Sequence, residues 1–478
     1  MGYITQVDVR TRTVDRFGGI ATPELLRELL EMAPSIRTRM EGRVNWHVNT
    51  TAVGGGVAEM LRQHVAYGRG GGIDVRWVVI SGGPEFFRIT KRLHHALHGA
   101  EGDGSPLGER ERGVYEETLR QNAVELATRV RPRDIVLLHD PQTAGLAPHL
   151  LRSGALVLWR CHIGSDESNA ETERGWQFLR PYLGDVPALI FTRKSYVPDF
   201  VEADRVAIIA PSIDAFSPKN WELDESAIRT VLVHTGLVEG PLPSDASYVF
   251  QRTDGTPGRI ERQADVFRLG RPPSWDTPLV TQVSRWDPLK DPIGVMRGFA
   301  RLVDGRETAR AELVLAGPNV SGVADDPEGA EVFEQVVSAW RELPHSVRGR
   351  VHLATLPTAD VEENAIIVNA LQRHSKVIVQ KSLKEGFGLT VTEGMWKGRP
   401  VVASGVGGIQ DQIEDGKSGI LLQDPTDAEE FAAALRRLLD DPDYAEQLGV
   451  AARERAVELY LDTRHLVLLG NLIEKIDI

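Results

Sequence analysis

Two glutamates in a Glu-x7-Glu pair, Glu385 and Glu393, bracket the run Gly386-Phe387-Gly388-Leu389-Thr390-Val391-Thr392. Residues 376–380, Lys-Val-Ile-Val-Gln, read as a buried strand and 389–397 as the helix after it, so Glu385 falls in the loop between them. The two glycines permit positive φ and close backbone approach to a ligand. The helix start behind them offers unpaired N–H groups and the positive end of the helix dipole. Such a joint is suited to an anion. A phosphate-bearing sugar held by backbone donors, with both carboxylates facing one pocket and accepting from hydroxyls, is the chemistry this spacing suggests. A plain strand-loop-helix joint with solvated glutamates fits the same spacing.

An anionic leaving group also needs cations. Ser284-Arg285-Trp286-Asp287-Pro288-Leu289-Lys290-Asp291-Pro292 follows an apolar strand at 279–283, and the turn at Asp287-Pro288 would let Arg285 and Lys290 converge on a departing diphosphate. The alternative is a pair of surface cations beside Asp287 and Asp291. Earlier in the chain, the strand 134–138 ends in His139-Asp140-Pro141 and the strand 155–159 in Arg160-Cys161-His162. In an open parallel sheet, ligands lie at the carboxyl ends of strands, where both histidines fall. A lone histidine is more often structural.

The elements that position these groups alternate. A strand at 44–48, the glycines Gly54, Gly55 and Gly56, a helical run at 57–67 and a strand at 75–80 form a βαβ unit. Its glycines depart from G-x-G-x-x-G and no acidic residue is placed for a dinucleotide ribose, so a nicotinamide cofactor is not expected. They make either room for a ligand or a tight turn. Strands at 188–191 and 206–209 close this half, and 210–218, with two prolines, reads as a connector. The stretch 220–278 is polar and reads as an irregular insertion or a loop covering part of a site. A second alternating series starts at 279, with strands near 312–316, 350–354, 376–380, 400–403 and 419–422. The expected fold is therefore α/β, with two doubly wound Rossmann-like domains facing a deep cleft. The domains are expected at 1–215 and 216–459, the last helix, 460–478, crossing back to the first.

Composition narrows the partners. The 478 residues carry 55 Lys and Arg against 68 Asp and Glu, a net charge of −13, which disfavours nucleic acid. One cysteine, Cys161, can form no internal disulfide, which fits a reducing compartment. The first residues show no targeting pattern and no apolar run approaches a membrane span of roughly 20 residues, so a cytoplasmic protein without integral membrane contact is expected. Asp441-Pro442-Asp443 has D-x-D spacing, but it lies between two amphipathic runs where Asp and Pro restart a helix, and no catalytic metal or other cofactor is expected.

Taken together, the Glu385/Glu393 pair, the 284–290 run and Gly407-Gly408-Ile409 resemble the retaining glycosyltransferases of the GT-B fold, in the large fourth family. More narrowly, Trp159-Arg160-Cys161-His162, His139-Asp140-Pro141-Gln142, Gly83-Pro84-Glu85-Phe86-Phe87, Asp325-Asp326-Pro327-Glu328-Gly329 and Val368-Asn369-Ala370-Leu371-Gln372-Arg373 resemble the trehalose synthase branch. The resemblance implies transfer of glucose from a nucleotide diphosphate glucose to glucose, giving trehalose with retained anomeric configuration. It implies an acceptor-side first domain and a donor-binding second one. Glu385 would hold the hexose, with Gly386, Phe387, Gly388 and Leu389 around sugar and diphosphate, and Glu393 would accept from the ribose. Arg285 and Lys290 would bind the diphosphate, His162 would sit by the reacting sugar, and Gly55 and Gly56 near the phosphates. Glu85, His139 and Asp140 would face the acceptor. One departure is Gly164-Ser165-Asp166, where the branch tends to place an acidic residue sooner. A trehalose phosphorylase, a glucosyltransferase with another acceptor, a nucleotide-sugar epimerase, a non-catalytic nucleotide-sugar sensor and a homodimeric state stay open.

Overall fold

The computed structural model describes residues 2–53, 55–304, 310–320 and 327–476. They divide into two compact units, Met1–Ser212 with Glu458–Ile478, and Ile213–Val457. Asp325 and Asp326 of the acidic motif, and Gly54, lie outside the described residues.

Unit 1 is built on a seven-stranded sheet. Its strands are β1 (Ile4–Val7), β2 (Asn45–Asn49), β3 (Val75–Ile80), β4 (Ile135–His139), β5 (Leu156–Cys161), β6 (Ala188–Phe191) and β7 (Val206–Ile208). The spatial order is β1-β3-β2-β4-β5-β6-β7, and only β1 runs antiparallel, pairing Ile4 with Ile80. Without β1, and numbering the six parallel strands in chain order, this is a doubly wound 2-1-3-4-5-6 arrangement, whose order reverses between β2 and β4. Every residue of β2 and β4 is buried, as strands covered on both faces must be. On one face Trp46, Val48, Leu138 and Trp159 pack with Phe86, Leu93, Tyr115 and Phe178 of three helices. On the other, Leu137, Leu158 and Ile190 meet Ile36 and Met40 of the helix Pro23–Met40, and Leu469 and Ile473 of the helix Asp462–Lys475. Each Leu or Phe so buried contributes about 1.5–3 kcal/mol.

Unit 2 follows a related plan, with its six parallel strands in the 3-2-1-4-5-6 order. Its strands are β8 (Val249–Gln251), β9 (Pro257–Arg259), β10 (Asp265–Phe267), β11 (Leu279–Val283), β12 (Glu312–Pro318), β13 (Val351–Leu356), β14 (Val377–Gln380), β15 (Val401–Ser404) and β16 (Ile420–Leu422). The main sheet runs β10-β13-β12-β11-β14-β15-β16, again with a single antiparallel edge strand, β10, and with the reversal between β11 and β14.

The stretch 220–278 corrects the sequence reading. It contains the helix Glu225–His234, the hairpin β8-β9 and the edge strand β10. Val231 and Leu232 pack with Ile366, Ile367 and Leu371, and ion pairs from Arg252 to Asp360 and Arg262 to Glu363 fasten the hairpin region to the helix Val361–His374. It is a packed part of the unit. Three-residue strands are too short for alternation to show in sequence.

Candidate active site

In unit 2 the loops after β11 and β14 flank the point where strand order reverses. After β11, Asp287 caps a short turn, its carboxylate accepting from Leu289 N at 2.9 Å. Asp291 follows at φ 49°, ψ 47°, and its Oδ1 accepts from Gly294 N at 3.0 Å to start the helix Pro292–Val303. A Cβ on Gly294 would lie 1.9 Å from Asp291 Oδ2, so the cap requires a glycine there. This geometry aims Lys290 across at the β14 loop, where its Nζ donates to Glu385 Oε2 at 2.5 Å. Ser382 Oγ donates to the same oxygen at 3.3 Å.

The two loops are also sewn together by backbone. Leu383 N donates to Leu289 O at 2.8 Å, and Gln282 bridges Lys290 O and Lys381 N at 2.9 and 3.1 Å. Buried Lys381 pairs with Asp291. Thus the two residues proposed from separate motifs, Lys290 and Glu385, do converge. Arg285 does not join them: its side chain is 66% exposed and its Nη2 donates to Asp287 Oδ2 at 2.7 Å.

Gly388 stands at φ 87°, ψ 65° as the residue before the helix Leu389–Trp396, a left-handed conformation that favours glycine. Gly386 O accepts from Gly408 N at 3.2 Å, and Gln412 Nε2 donates to Phe387 O at 2.5 Å, which joins the loop to the Gly407-Gly408-Ile409 segment. Phe387 is buried, as is Glu393 at 3% exposure. The two glutamates take different partners: Glu393 Oε2 accepts from Gln372 Nε2 at 3.2 Å, and its Oε1 lies 3.5 Å from Lys219 Nζ. Lys397, one turn on, is buried with its Nζ on Asn220 Oδ1 at 3.0 Å, and burial lowers its pKa to about 7.

In unit 1 the parallel register pairs His47 with Leu137 and His139 with Arg160. Paired residues share a sheet face, and so do residues two apart. His47, His139 and His162 therefore climb diagonally over β2, β4 and the end of β5 toward the carboxyl edge. Their rings touch in sequence: His47 Nδ1 to His139 Nε2, and His139 Nδ1 to His162 Nε2, both at 3.1 Å. Burial, then neighbouring rings, pushes the His139 pKa well below its ordinary range; burial, then Arg160, does the same for His162. His47 is lowered to about 3, again chiefly by burial. Asp140, at φ 65°, turns the chain beside them, its Oδ1 accepting from His162 N at 2.8 Å. Burial raises the Asp140 pKa to about 7 against that hydrogen bond and Arg160.

The remaining predicted residues lie apart from this row. Glu85 accepts from Arg110 at 2.7 Å and lines a separate hollow of about 230 Å³ with Arg88, Arg92 and Arg110, where none of the three histidines appears. Gly55 opens the helix Gly55–Gly70 at φ 78° and Gly56 follows within it; a Cβ on Gly55 would meet nothing within 4 Å, so conformation and not crowding favours glycine there. Asp441 does restart a helix, its Oδ1 accepting from Tyr444 N at 3.0 Å. Among the described residues no group of three or more His, Cys, Asp or Glu could hold a metal ion, and no helix is long and apolar enough to cross a membrane.

Sequence reasoning missed His47, His64, His465, Lys381 and Asp291. Polar residues inside otherwise apolar buried strands, as in Asn45-Trp46-His47-Val48-Asn49, were the available signal.

Comparison with known proteins fits this doubled architecture. Residues 47–198 match the model of the trehalose synthase N-terminal domain, and residues 357–455 that of glycosyl transferases group 1. Trehalose-6-phosphate synthase OtsA superposes with a TM-score of 0.64 at 15% identity, covering 91% of this chain and 100% of that one. An Anabaena protein, Alr3699/HepE, solved with UDP and glucose, gives 0.61 at 12% identity over 91% of this chain and 100% of that one. The fold and these matches define a GT-B glycosyltransferase, a hexosyltransferase by class. Trehalose synthases from Rubrobacter xylanophilus and Thermococcus litoralis are each 36% identical, covering 94% and 92% of this chain and the same shares of those proteins. The chain belongs to the trehalose synthase family, and its chemistry is trehalose-related glycosyl transfer.

Proposed function

We propose that the protein moves glucose from a nucleotide diphosphate glucose to free glucose, forming trehalose with retention at the anomeric carbon. The observation that carries this reading is the Lys290–Glu385 pair, held at 2.5 Å where the strand order of unit 2 reverses, within a family of trehalose synthases. Lys290 carries the charge that a departing diphosphate needs, and Arg285, exposed and tied to one aspartate, supplies the second cation. Glu385 accepts from hexose hydroxyls, while backbone N–H groups of 386–389 surround sugar and phosphate. Glu393 accepts from the ribose. In unit 1, His162 meets the reacting sugar, with His139 and Asp140 behind it.

No carboxylate is cast as a nucleophile. The carboxylate of Glu385 is already engaged by Lys290 and Ser382, which suits a holding role. Attack and departure then occur on one face, and the leaving phosphate takes the acceptor proton. Catalysis rests on stabilising the leaving group more strongly in the transition state than in the ground state.

The test is direct. Incubation with ADP-glucose or UDP-glucose plus glucose should release the nucleoside diphosphate and give a non-reducing disaccharide of α,α configuration. Absence of product with every donor, or an inverted linkage, would reject the reading. A trehalose phosphorylase of Pleurotus pulmonarius, 25% identical over 82% of this chain and 52% of its own length, motivates a second arm. Trehalose cleavage that requires inorganic phosphate and no nucleotide would favour phosphorolysis.

A further inference from the structure

Three imidazoles in a row carry a constraint that none has alone. A neutral imidazole has one N–H, and His139 uses both ring nitrogens on other rings. If its Nδ1–H donates to His162 Nε2, its Nε2 must accept from His47 Nδ1–H, and His162 then carries its proton on Nδ1. If the sense is reversed, all three rings change tautomer together and His162 Nδ1 becomes an acceptor. No mixed state satisfies both hydrogen bonds. His162 is half-buried, and its Nδ1 has no protein partner among the described residues, so the free end of the row is available to a ligand.

Burial holds the three rings neutral, and the polar groups beside them hydrogen-bond among themselves. Arg160, 1% exposed, can only donate, so His465 Nε2 accepts from its Nη1 at 3.0 Å and His465 Nδ1–H donates to Ala210 O at 3.1 Å. Ser212 Oγ donates to Asp462 Oδ1 at 2.7 Å, so it accepts from His64 Nε2–H at 3.0 Å. The groups packed around the row are therefore Arg160 and Asp140 from the sheet, His64 from the helix Gly55–Gly70, and His465 and Asp462 from the helix Asp462–Lys475. Each has a defined hydrogen-bonding sense, Asp140 included, whose Oδ1 accepts from His162 N.

The geometry points to His47 as a positioning residue that, through His139, holds His162 in one tautomer, so that His162 Nδ1 keeps a single hydrogen-bonding role toward a sugar hydroxyl. The part about the sugar rests on the function proposed above; the tautomer lock does not. In a buried site a donor presented where an acceptor is needed leaves a polar group unpaired, which costs about 1–3 kcal/mol. A locked ring avoids spending half its population in the wrong state.

Nitrogen-15 histidine labelling of the full chain tests this, with two-bond proton-nitrogen correlations assigned from His139→Gln and His162→Gln. At pH 7, His139 and His162 should each show one protonated and one bare nitrogen. In His47→Phe the two His162 nitrogens should move toward averaged values, and kcat should fall about twofold with the donor KM unchanged. His47→Gln, which can donate through its amide N–H or accept through its carbonyl, should restore both. Averaged or doubly protonated His162 in the wild type would overturn the lock, as would unchanged His162 signals in a folded His47→Phe. If His47→Phe does not fold, the wild-type spectrum and His47→Gln decide. A lock that responds to His47 with turnover unchanged would overturn the role of His162 in the reaction and leave the donor site of unit 2 untouched.

Discussion

The two units share a doubly wound plan and use it for opposite electrostatics. Each has six parallel strands with one antiparallel strand at the same edge, ordered 2-1-3-4-5-6 in unit 1 and 3-2-1-4-5-6 in unit 2, and in each the polar groups gather on or after the strands at and beside the reversal. In unit 2 those groups are Lys290, Glu385, Lys381 and Asp291, paired as ions. In unit 1 they are imidazoles driven neutral by burial. Under the function proposed above, an ion pair can rearrange to face an arriving diphosphate. A row of neutral rings can instead offer a donor or an acceptor to hydroxyls without attracting counterions. The fold supplies the location, and the side chains decide whether it reads charge or hydroxyl direction.

The largest effects should come from breaking the charged edge. Lys290→Ala should lower kcat roughly 10³-fold, because on the proposed function it removes a donor to the leaving group, and it leaves Glu385 without the Lys290 contact. Arg285→Ala should cost about 10²-fold, since its exposed guanidinium must first turn from Asp287. His162→Ala on the neutral edge should cost about tenfold to 10²-fold, the scale of one well-placed hydrogen-bond donor or acceptor. Steady-state kinetics on the three variants checks the ranking. If His162→Ala proved the most damaging, the assignment of charge stabilisation to unit 2 would be wrong.

Part of this contrast was legible in the sequence. Glu385 and Lys290 stand in loops behind strongly apolar strands, where strand periodicity fixes the edge and turn residues fix the loop. Their pairing at 2.5 Å depends on Asp291 adopting a left-handed conformation, which no local pattern announces for a non-glycine residue. The histidine row was half legible. His139 and His162 were placed at strand ends, but their contact with His47 depends on the register between β2 and β4, a long-range property. His465 could not have been found from spacing, because it reaches Arg160 from the other end of the chain. The region 220–278 was misread because β10 gains its identity only by pairing with β13.

A smaller effect separates the units by stability. His47, His139, His162, His64 and His465 all have folded pKa values below the ordinary 6.5, with burial the first cause in each. Their contribution is complete above pH 6.5 and is lost as pH falls, because the unfolded chain then binds protons that the folded rings refuse. For His47 the window runs from 6.5 down to about 3, with a slope approaching 1.4 kcal/mol per pH unit. Asp140 acts in the opposite sense between its ordinary 3.8 and about 7, where burial favours its protonated form, and so offsets part of this dependence. Among the described residues of unit 2, one histidine is comparable, His374, lowered to about 4 by burial. Acidification from pH 7 to 5 should therefore open unit 1 first, as read by amide exchange, and His47→Gln should flatten the dependence of Tm on pH. Simultaneous opening of both units would remove the electrostatic distinction between them.

The smallest expected effect tests the backbone of the charged edge and not its side chains. Gly388 holds φ 87°, and a Cβ there would stand 3.2 Å from both Glu385 Cγ and Ile409 Cγ1. Gly388→Ala should cost about 1–2 kcal/mol, the penalty for a left-handed L-residue, with any crowding relieved by a small shift of Glu385. Because that shift moves the carboxylate paired with Lys290, turnover should fall by more than the lost stability explains. Gly42→Ala provides the matched control in unit 1. It has a similar φ of 73° but open space around its Cβ, so it should lose comparable stability without displacing a neighbouring side chain. Equal losses of turnover in the two variants, at equal stability, would show that the Glu385 position is not set by the glycine behind it.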